Sequence, residues 1–350
     1  MTDDRDMKRT KEEKKENVRT NEVKRQHYVP RTYLKHFSKE RSNEFFISVI
    51  PINDCSENNI KEINITNMCL EKNLYTLPGS TVQQRMFIEK FYSDEIESHY
   101  DRIYSILTDP NKKTVSQEER QLIISTVVTM LYRTTKWKNV HNELMMRVFD
   151  NLFSLCEQTG KDYFIYEGEK KSIAGKTLKD FHNEYKLENR PAQMLIQLDL
   201  AFKLIQLRSL RDGIYVAKLE DGNHEFITSD NPVIYQKLGQ EQTMPFDPEN
   251  ILKLPLDSKH LLYLMPYADK QTCHIISRNT ANGANCSSEK LVSNYEQFCN
   301  SERFILGTES SLKGYLALKE ISERPITDEK FSKFSSFEEI LKDFKDLGLV

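Results

Sequence analysis

Apolar residues recur every three or four positions through the middle of the chain. Between positions 82 and 107 they are Phe87, Ile88, Phe91, Tyr92, Ile96, Tyr100, Ile103 and Leu107, a period that puts them on one stripe of an amphipathic helix. Asp109-Pro110-Asn111 ends it, because the residue before a proline is pushed out of the helical region. Ser116 and Glu119 form a Ser-x-x-Glu capping box ahead of a second periodic stretch running towards Cys156. Pro191 is expected to open a third helix over 192–210, where Leu195, Leu198, Phe202 and Ile205 keep helical spacing. Proline suits a first helical turn, whose donors lack partners anyway. The polar stretch 160–190 is expected to be irregular, with one short helix at 176–185.

The flanking regions have strand texture. Glu44–Pro51 is short, aromatic and β-branched; 60–65 alternates apolar with polar residues; 74–79 looks extended and ends in a Pro-Gly turn. After Asp212-Gly213, residues 214–219 alternate, Asp221-Gly222 predicts a hairpin, and 225–228 is the expected returning strand. Segments 252–256 and 261–265 form an expected antiparallel pair about Asp257-Ser258-Lys259. A polar turn at 282–285, a helix over 288–298 and a strand over 303–306 follow. The class predicted is α+β: a mainly antiparallel sheet of early and late strands, with the helical segment of about 82–211 packed on one face.

Residues 25–320 are expected to form one such domain. The arm before it, 1–24, is almost wholly charged or polar and has nothing to bury, so it is expected to be disordered. At the other end, a stripe of Phe337, Ile340, Leu341, Phe344 and Leu347 predicts an amphipathic helix from Ser336 to Leu347. It would dock on the body or on a protein partner.

Composition narrows the function classes. Fifty Lys/Arg against 53 Asp/Glu leave a formal net charge of −3 over 350 residues, so binding nucleic acid or a nucleotide would need a local basic patch. No apolar run approaches the roughly 18 residues of a membrane span, and the start of the chain is Lys/Glu-rich where a secretory signal would be apolar. The six cysteines are scattered without a C-x-x-C pair, which suits reduced thiols and a cytoplasmic location. Cys273-His274, Cys286 and Cys299 cluster loosely but lack zinc-site spacing, so a zinc site is the lesser reading and buried thiols the plainer one.

Two motifs carry the candidate chemistry. In Gln26-His27-Tyr28-Val29-Pro30-Arg31-Thr32-Tyr33-Leu34-Lys35-His36-Phe37, the residues Tyr33, Leu34 and Phe37 fall on one helix face and are mainly structural. His27 and Arg31 stand out. An imidazole can carry a proton near neutral pH or ligate a metal, and a guanidinium can clamp phosphate through two parallel hydrogen bonds; backbone bonding and a surface ion pair are the plainer roles. The phrase His27-x-Val29-Pro30 resembles the opening of an HNH (ββα-metal) nuclease site. It departs from that pattern in having Gln26 before the histidine and no histidine between His36 and His99.

The second motif, Phe226-Ile227-Thr228-Ser229-Asp230-Asn231-Pro232-Val233, is a strand running into a turn. Asp230 would either bond its own turn or serve as a metal ligand or base at a strand end. Ser229, Asn231 and Tyr33 are the candidates for holding substrate. Together the motifs resemble a bacterial and prophage-associated family of proteins of unknown function, numbered four-two-three-eight. Leu254-Pro255-Leu256-Asp257-Ser258 and the strand Leu261-Leu262-Tyr263-Leu264 add to a likeness over 25–310. It implies His27, Pro30, Tyr33, Leu34, Asp230 and Pro232 as signature positions, but no activity. The leading expectation is a hydrolase of phosphodiester bonds with catalytic His27, Asp230 and Arg31 and an unidentified divalent metal as candidate cofactor. The alternatives are a ligand- or partner-binding protein, or motifs that are structural only.

Overall fold

The computed structural model describes residues 22–323 apart from 221, 223, 238–242, 267 and 270. Most of the charged arm and the expected helix from Ser336 to Leu347 lie outside the described residues. Strand β1 (Arg25–His27) leads into helix α1 (Arg31–Leu34) and a 3₁₀ turn (Lys35–Phe37), followed by β2 (Lys39–Arg41), β3 (Glu44–Pro51), β4 (Lys61–Asn64) and β5 (Leu70–Lys72). The helical region comprises α2 (Val82–Arg85), α3 (Phe87–Phe91), α4 (Tyr100–Thr108), α5 (Gln117–Arg133) and α6 (Thr135–Thr159). After strands β6 (Tyr163–Tyr166) and β7 (Glu169–Ser172) comes α7 (Leu178–Ser209). The last part holds β8 (Gly213–Leu219), β9 (Thr228–Ser229), β10 (Ile234–Gln236), β11 (Ile251–Pro255), β12 (His260–Met265), β13 (Ile276–Ala281), α8 (Gly283–Asn300), β14 (Phe304–Gly307) and α9 (Glu309–Glu323).

The α+β class stands, with two principal sheets in place of the one expected. The first joins early and late strands in the order β2-β3-β14-β9, with β4 also on β3; the second, β10-β11-β12-β8-β13, is late strands alone. Every pairing is antiparallel except β8 with β13. One apolar core runs from Tyr28 to Leu306 and takes in the first motif, Val233 of the second, α5 and the inner face of α7, while Phe226 and Ile227 pack in two smaller clusters. Among the described residues no helix is long and apolar enough to cross a membrane.

Four expectations change. The stripe from 82 to 107 is buried as predicted at Ile88, Tyr92, Ile96, Tyr100, Ile103 and Leu107, but the helix is broken by a π-turn (Tyr92–Ile96) and a 3₁₀ turn (Glu97–His99). Steps of four residues overshoot an α-helical turn by about 40° each, so the run 88-92-96-100 would spiral off the core. A wider π-turn keeps it facing inward. Pro191 sits inside the 32-residue α7; the acceptor it strands belongs to Leu187, 76 % exposed, where water can bond it.

That long helix starts early because Thr177 and Asp180 form a capping box. The stretch before it is a β6–β7 hairpin, turned by Glu167 and Gly168, both at positive φ. Finally, the Asp221-Gly222 hairpin does not form: β8 pairs with β12 and β13. Residues 225–227 have a helix for a partner, since Asn294 Oδ1 accepts the Ile227 N–H (2.9 Å) and Asn294 Nδ2 donates to the Glu225 carbonyl (3.0 Å).

Candidate functional site

Pro30 sets the start of α1 at φ −59°, and the helix with the 3₁₀ turn after it buries Tyr33, Leu34 and Phe37. The Tyr33 hydroxyl lies 2.5 Å from Thr228 Oγ1, a direct bond between the two motifs. A second link runs from Tyr28, whose hydroxyl accepts from Arg303, to Asp230, whose carboxylate lies 3.8 Å from Arg303 Nε. Chain-distant signatures therefore meet in one region.

A third segment fastens them: Arg133-Thr134-Thr135-Lys136-Trp137-Lys138-Asn139, where α5 passes into α6. Arg133 Nη2 donates to the His27 carbonyl (2.6 Å), and Thr134 Oγ1 donates to Asn231 Oδ1 (2.7 Å). Neighbouring residues thus grip one motif each. Thr135 and Asn139 both donate to Glu302 (2.9 Å), Lys136 Nζ to Asn300 Oδ1 (2.6 Å), and Lys138 pairs with Glu71 (2.5 Å). The sequence signal was present: Arg133 continues the buried run Val127–Tyr132, an unusual place for a charge without partners.

The side chains then diverge. Asp230, 1 % exposed, accepts the backbone N–H of Glu302 (2.9 Å) and of Arg303 (3.0 Å), which anchors the turn between α8 and β14. Burial raises its pKa despite these bonds and the Arg303 charge. Ser229 Oγ donates to Gln297 Oε1 (2.8 Å) and accepts from the Asn231 N–H (3.2 Å). Asn231 Nδ2 donates to the Asn300 carbonyl (3.1 Å). Asn294, Gln297 and Asn300 lie three apart on α8 and serve this motif as a partner strand would. Ser229, Asn231 and Tyr33, all sealed, spend their polar atoms on the protein itself.

His27 faces other company. Burial, with the Arg31 charge second and that of Arg133 behind the opposing pull of Glu97, lowers its pKa from 6.5 to about 4, so the imidazole is neutral at pH 7. Its Nε2 is buried with no protein partner, as are Arg133 Nε and Nη1 and Glu89 Oε2. Arg31 is exposed. Glu97 accepts from Arg133 Nη2 (2.7 Å), and the guanidinium lies 4.3 Å from the Tyr92 ring centroid. Of the predicted residues, His27 and Arg31 share this corner; Arg133, Glu97 and Glu89 were missed. Glu89 was hidden because it stands beside Ile88 on a helix expected to be solvent-facing there.

Beyond Arg303 a cleft of ≈ 510 Å³ includes Asn142, His182 and Lys186 in its lining. Among the described residues, no group of three or more His, Cys, Asp or Glu gathers as a metal site. All six cysteines are unbridged thiols, with Cys286 buried and Cys299 exposed.

An α+β fold whose two signature motifs are bonded to each other and to one helix junction defines the class. The chain belongs to the DUF4238 family of proteins of unknown function, whose profile matches residues 25–311. No curated protein and no solved structure matches it.

Proposed function

We propose that the chain hydrolyses phosphodiester bonds of nucleic acid or nucleotides at the corner formed by His27, Arg31 and Arg133. The carrying observation is an imidazole held neutral in the field of the Arg31 and Arg133 charges, with its Nε2 buried and without a protein partner. Buried polar atoms of this kind take a hydrogen-bond partner. An acceptor nitrogen without a partner, under two positive charges, suits a water next to an anionic oxygen. His27 takes the proton of the attacking water, and Arg31 and Arg133 stabilise the charge growing on the phosphoryl oxygens. Asp230 acts as an anchor that fixes the 302–303 backbone. The unbridged thiols support a cytoplasmic setting.

The test is cleavage of single-stranded DNA, RNA and nucleotides, in chelator and with added Mg²⁺, Mn²⁺ or Zn²⁺. His27→Gln should slow the reaction on the order of 10²–10⁴-fold with an unchanged melting curve. Absence of cleavage under every condition, or a His27→Gln protein as active as the parent, would overturn the assignment.

One observation favours a second reading, a non-enzymatic anion-binding protein. His182 is 4 % exposed with Nε2 unpartnered, and it lines the cleft with Lys186 and Arg303. On that reading inorganic phosphate raises the melting temperature of the parent but not of a Lys186→Ala/Arg303→Ala protein. Equal shifts in both would remove it.

A further inference from the structure

We infer that His260 is a nucleophile that accepts phosphoryl groups from small acyl phosphates or phosphoramidates. Asp257 holds its ring, and Lys218 draws in the anion. The site lies in the turn between β11 and β12, which the family match covers and the hydrolytic reading leaves unused. His260 Nδ1 lies 2.9 Å from Asp257 Oδ2 and 3.1 Å from Oδ1. Asp257 Oδ1 also accepts the backbone N–H of Lys259 (2.6 Å) and of His260 (2.7 Å), and Oδ2 accepts from the Tyr104 hydroxyl at 2.6 Å. The His36 ring stacks on that of Tyr104, with centroids 3.6 Å apart, and braces the phenol.

These bonds settle which ring nitrogen is free. A carboxylate bonded to four donors accepts hydrogens and gives none. Burial pushes the Asp257 pKa up, but the bonds from His260, Tyr104 and the Lys259 N–H hold it below the usual value. The ring hydrogen therefore sits on Nδ1, and the lone pair of the neutral ring is on Nε2. That nitrogen takes no bond from a described residue and is not one of the sealed unpartnered atoms, so it opens to solvent. The side chain as a whole is 14 % exposed. Lys218 stands directly opposite on β8 and is exposed; side chains so paired start about 4.5–5.5 Å apart at Cβ. An ammonium within that reach supplies a counter-charge for phosphoryl oxygens. The turn itself does not require an imidazole, because the carboxylate and the bond from the Leu256 N–H to the His260 carbonyl (2.8 Å) close it.

In the step, the Nε2 lone pair bonds to phosphorus as the bond to the leaving group breaks. The electron pair departs on the carboxylate of an acyl phosphate or on the ammonia of a phosphoramidate. Nδ1 keeps its hydrogen, so the product is an N-phosphoryl imidazolium whose positive charge faces Asp257. No proton has to leave the ring before attack, and no further reactant is consumed. A plain alkyl phosphate, with its poor leaving group, is no donor.

The experiment exposes the parent, Lys218→Ala, Asp257→Asn and His260→Gln to phosphoramidate and, separately, to acetyl phosphate. Mass spectrometry with fragmentation maps each acid-labile phosphoryl group, and phosphorus NMR tells Nε2 from Nδ1. Exposed His274 is the reference for an unassisted ring. His36, whose Nε2 lies 3.2 Å from Asp101 Oδ1, is the reference for an occupied one. His260 should be labelled on Nε2 on the order of 10–100-fold faster than His274, the factor by which a carboxylate behind a metal-binding histidine commonly acts. The parent in urea should lose that excess, which tests the geometry without any substitution. Asp257→Asn, its fold checked by a melting curve, should lose most of the excess, and His260→Gln all of it. Lys218→Ala should lose part while His274 keeps its rate. Selective labelling from acetyl phosphate marks acyl phosphates as the source, and from phosphoramidate alone marks N-phosphoryl donors. Equal rates at His260 and His274 in the folded parent, or an excess that persists in urea, would overturn the inference. No ester is cleaved in this assay, so its outcome is separate from that of the hydrolytic reading.

Discussion

Replacing Arg133 by Met should destabilise the protein by about 3–5 kcal/mol, the range for breaking a buried ion pair from one side, and should abolish cleavage as well. The residue is 3 % exposed, and one nitrogen serves both the His27 carbonyl (2.6 Å) and Glu97 (2.7 Å). Met fills much of the volume, so the loss reports on charge and hydrogen bonds more than on a cavity. Glu97 is 23 % exposed at its side chain, and partial hydration places the expected value at the low end. Urea unfolding of Arg133→Met, Glu97→Gln and the double variant isolates the pair: the double should be less damaged than the sum of the singles. The imidazole reports independently. Arg133 lowers the His27 pKa, so the variant's histidine should titrate higher by NMR. An unmoved His27 titration with full stability would show that Arg133 does not govern the corner.

Local signals were legible in the sequence, and so were the elements they specify. Strand β3 has the predicted bounds, β11 and β12 pair about the predicted turn, and Ser116 caps α5 through Glu119. The buried stripe of 82–107 survived even though its helix did not, because side-chain burial fixes which residues face inward but not the pitch that brings them there. What was illegible is long-range. The two-residue β9 exists through its bonds to β14, and α8 supplies amides where a strand was expected. No local period encodes either.

The site divides in the same way. Both motifs lie where chain-distant segments meet, as their mixture of proline, aromatics and polar groups suggested. Their roles depended on Arg133 to Asn139, which looked like an ordinary helix junction. The motifs are joined through Tyr33 and Thr228, whereas the His27 imidazole and the Asp230 carboxylate have separate partners. Arg303 bonds Tyr28 and lies by Asp230, while the charges of Arg133 and Glu97 act on His27.

That separation makes Asp230 the sharpest discriminator between an anchor and a reacting group. Asp230→Ala leaves the N–H groups of Glu302 and Arg303 without their acceptors. At about 1–3 kcal/mol for each donor so stranded, and with the turn near solvent, a loss of about 2–4 kcal/mol is expected. Asp230→Asn keeps the shape and one acceptor oxygen, so it should recover roughly half of that loss. Thermal and urea unfolding measure the stability, and cleavage is scored per folded molecule. For an anchor, Asp230→Asn lowers the melting temperature while the folded fraction keeps most of its kcat/KM, because the carboxylate acts through the 302–303 backbone. A metal ligand or base would behave in the opposite way, since the amide would preserve the fold and remove the chemistry. An Asp230→Asn protein that melts like the parent and cleaves nothing would put this carboxylate among the reacting groups and move the centre of the site from Arg133 to Arg303.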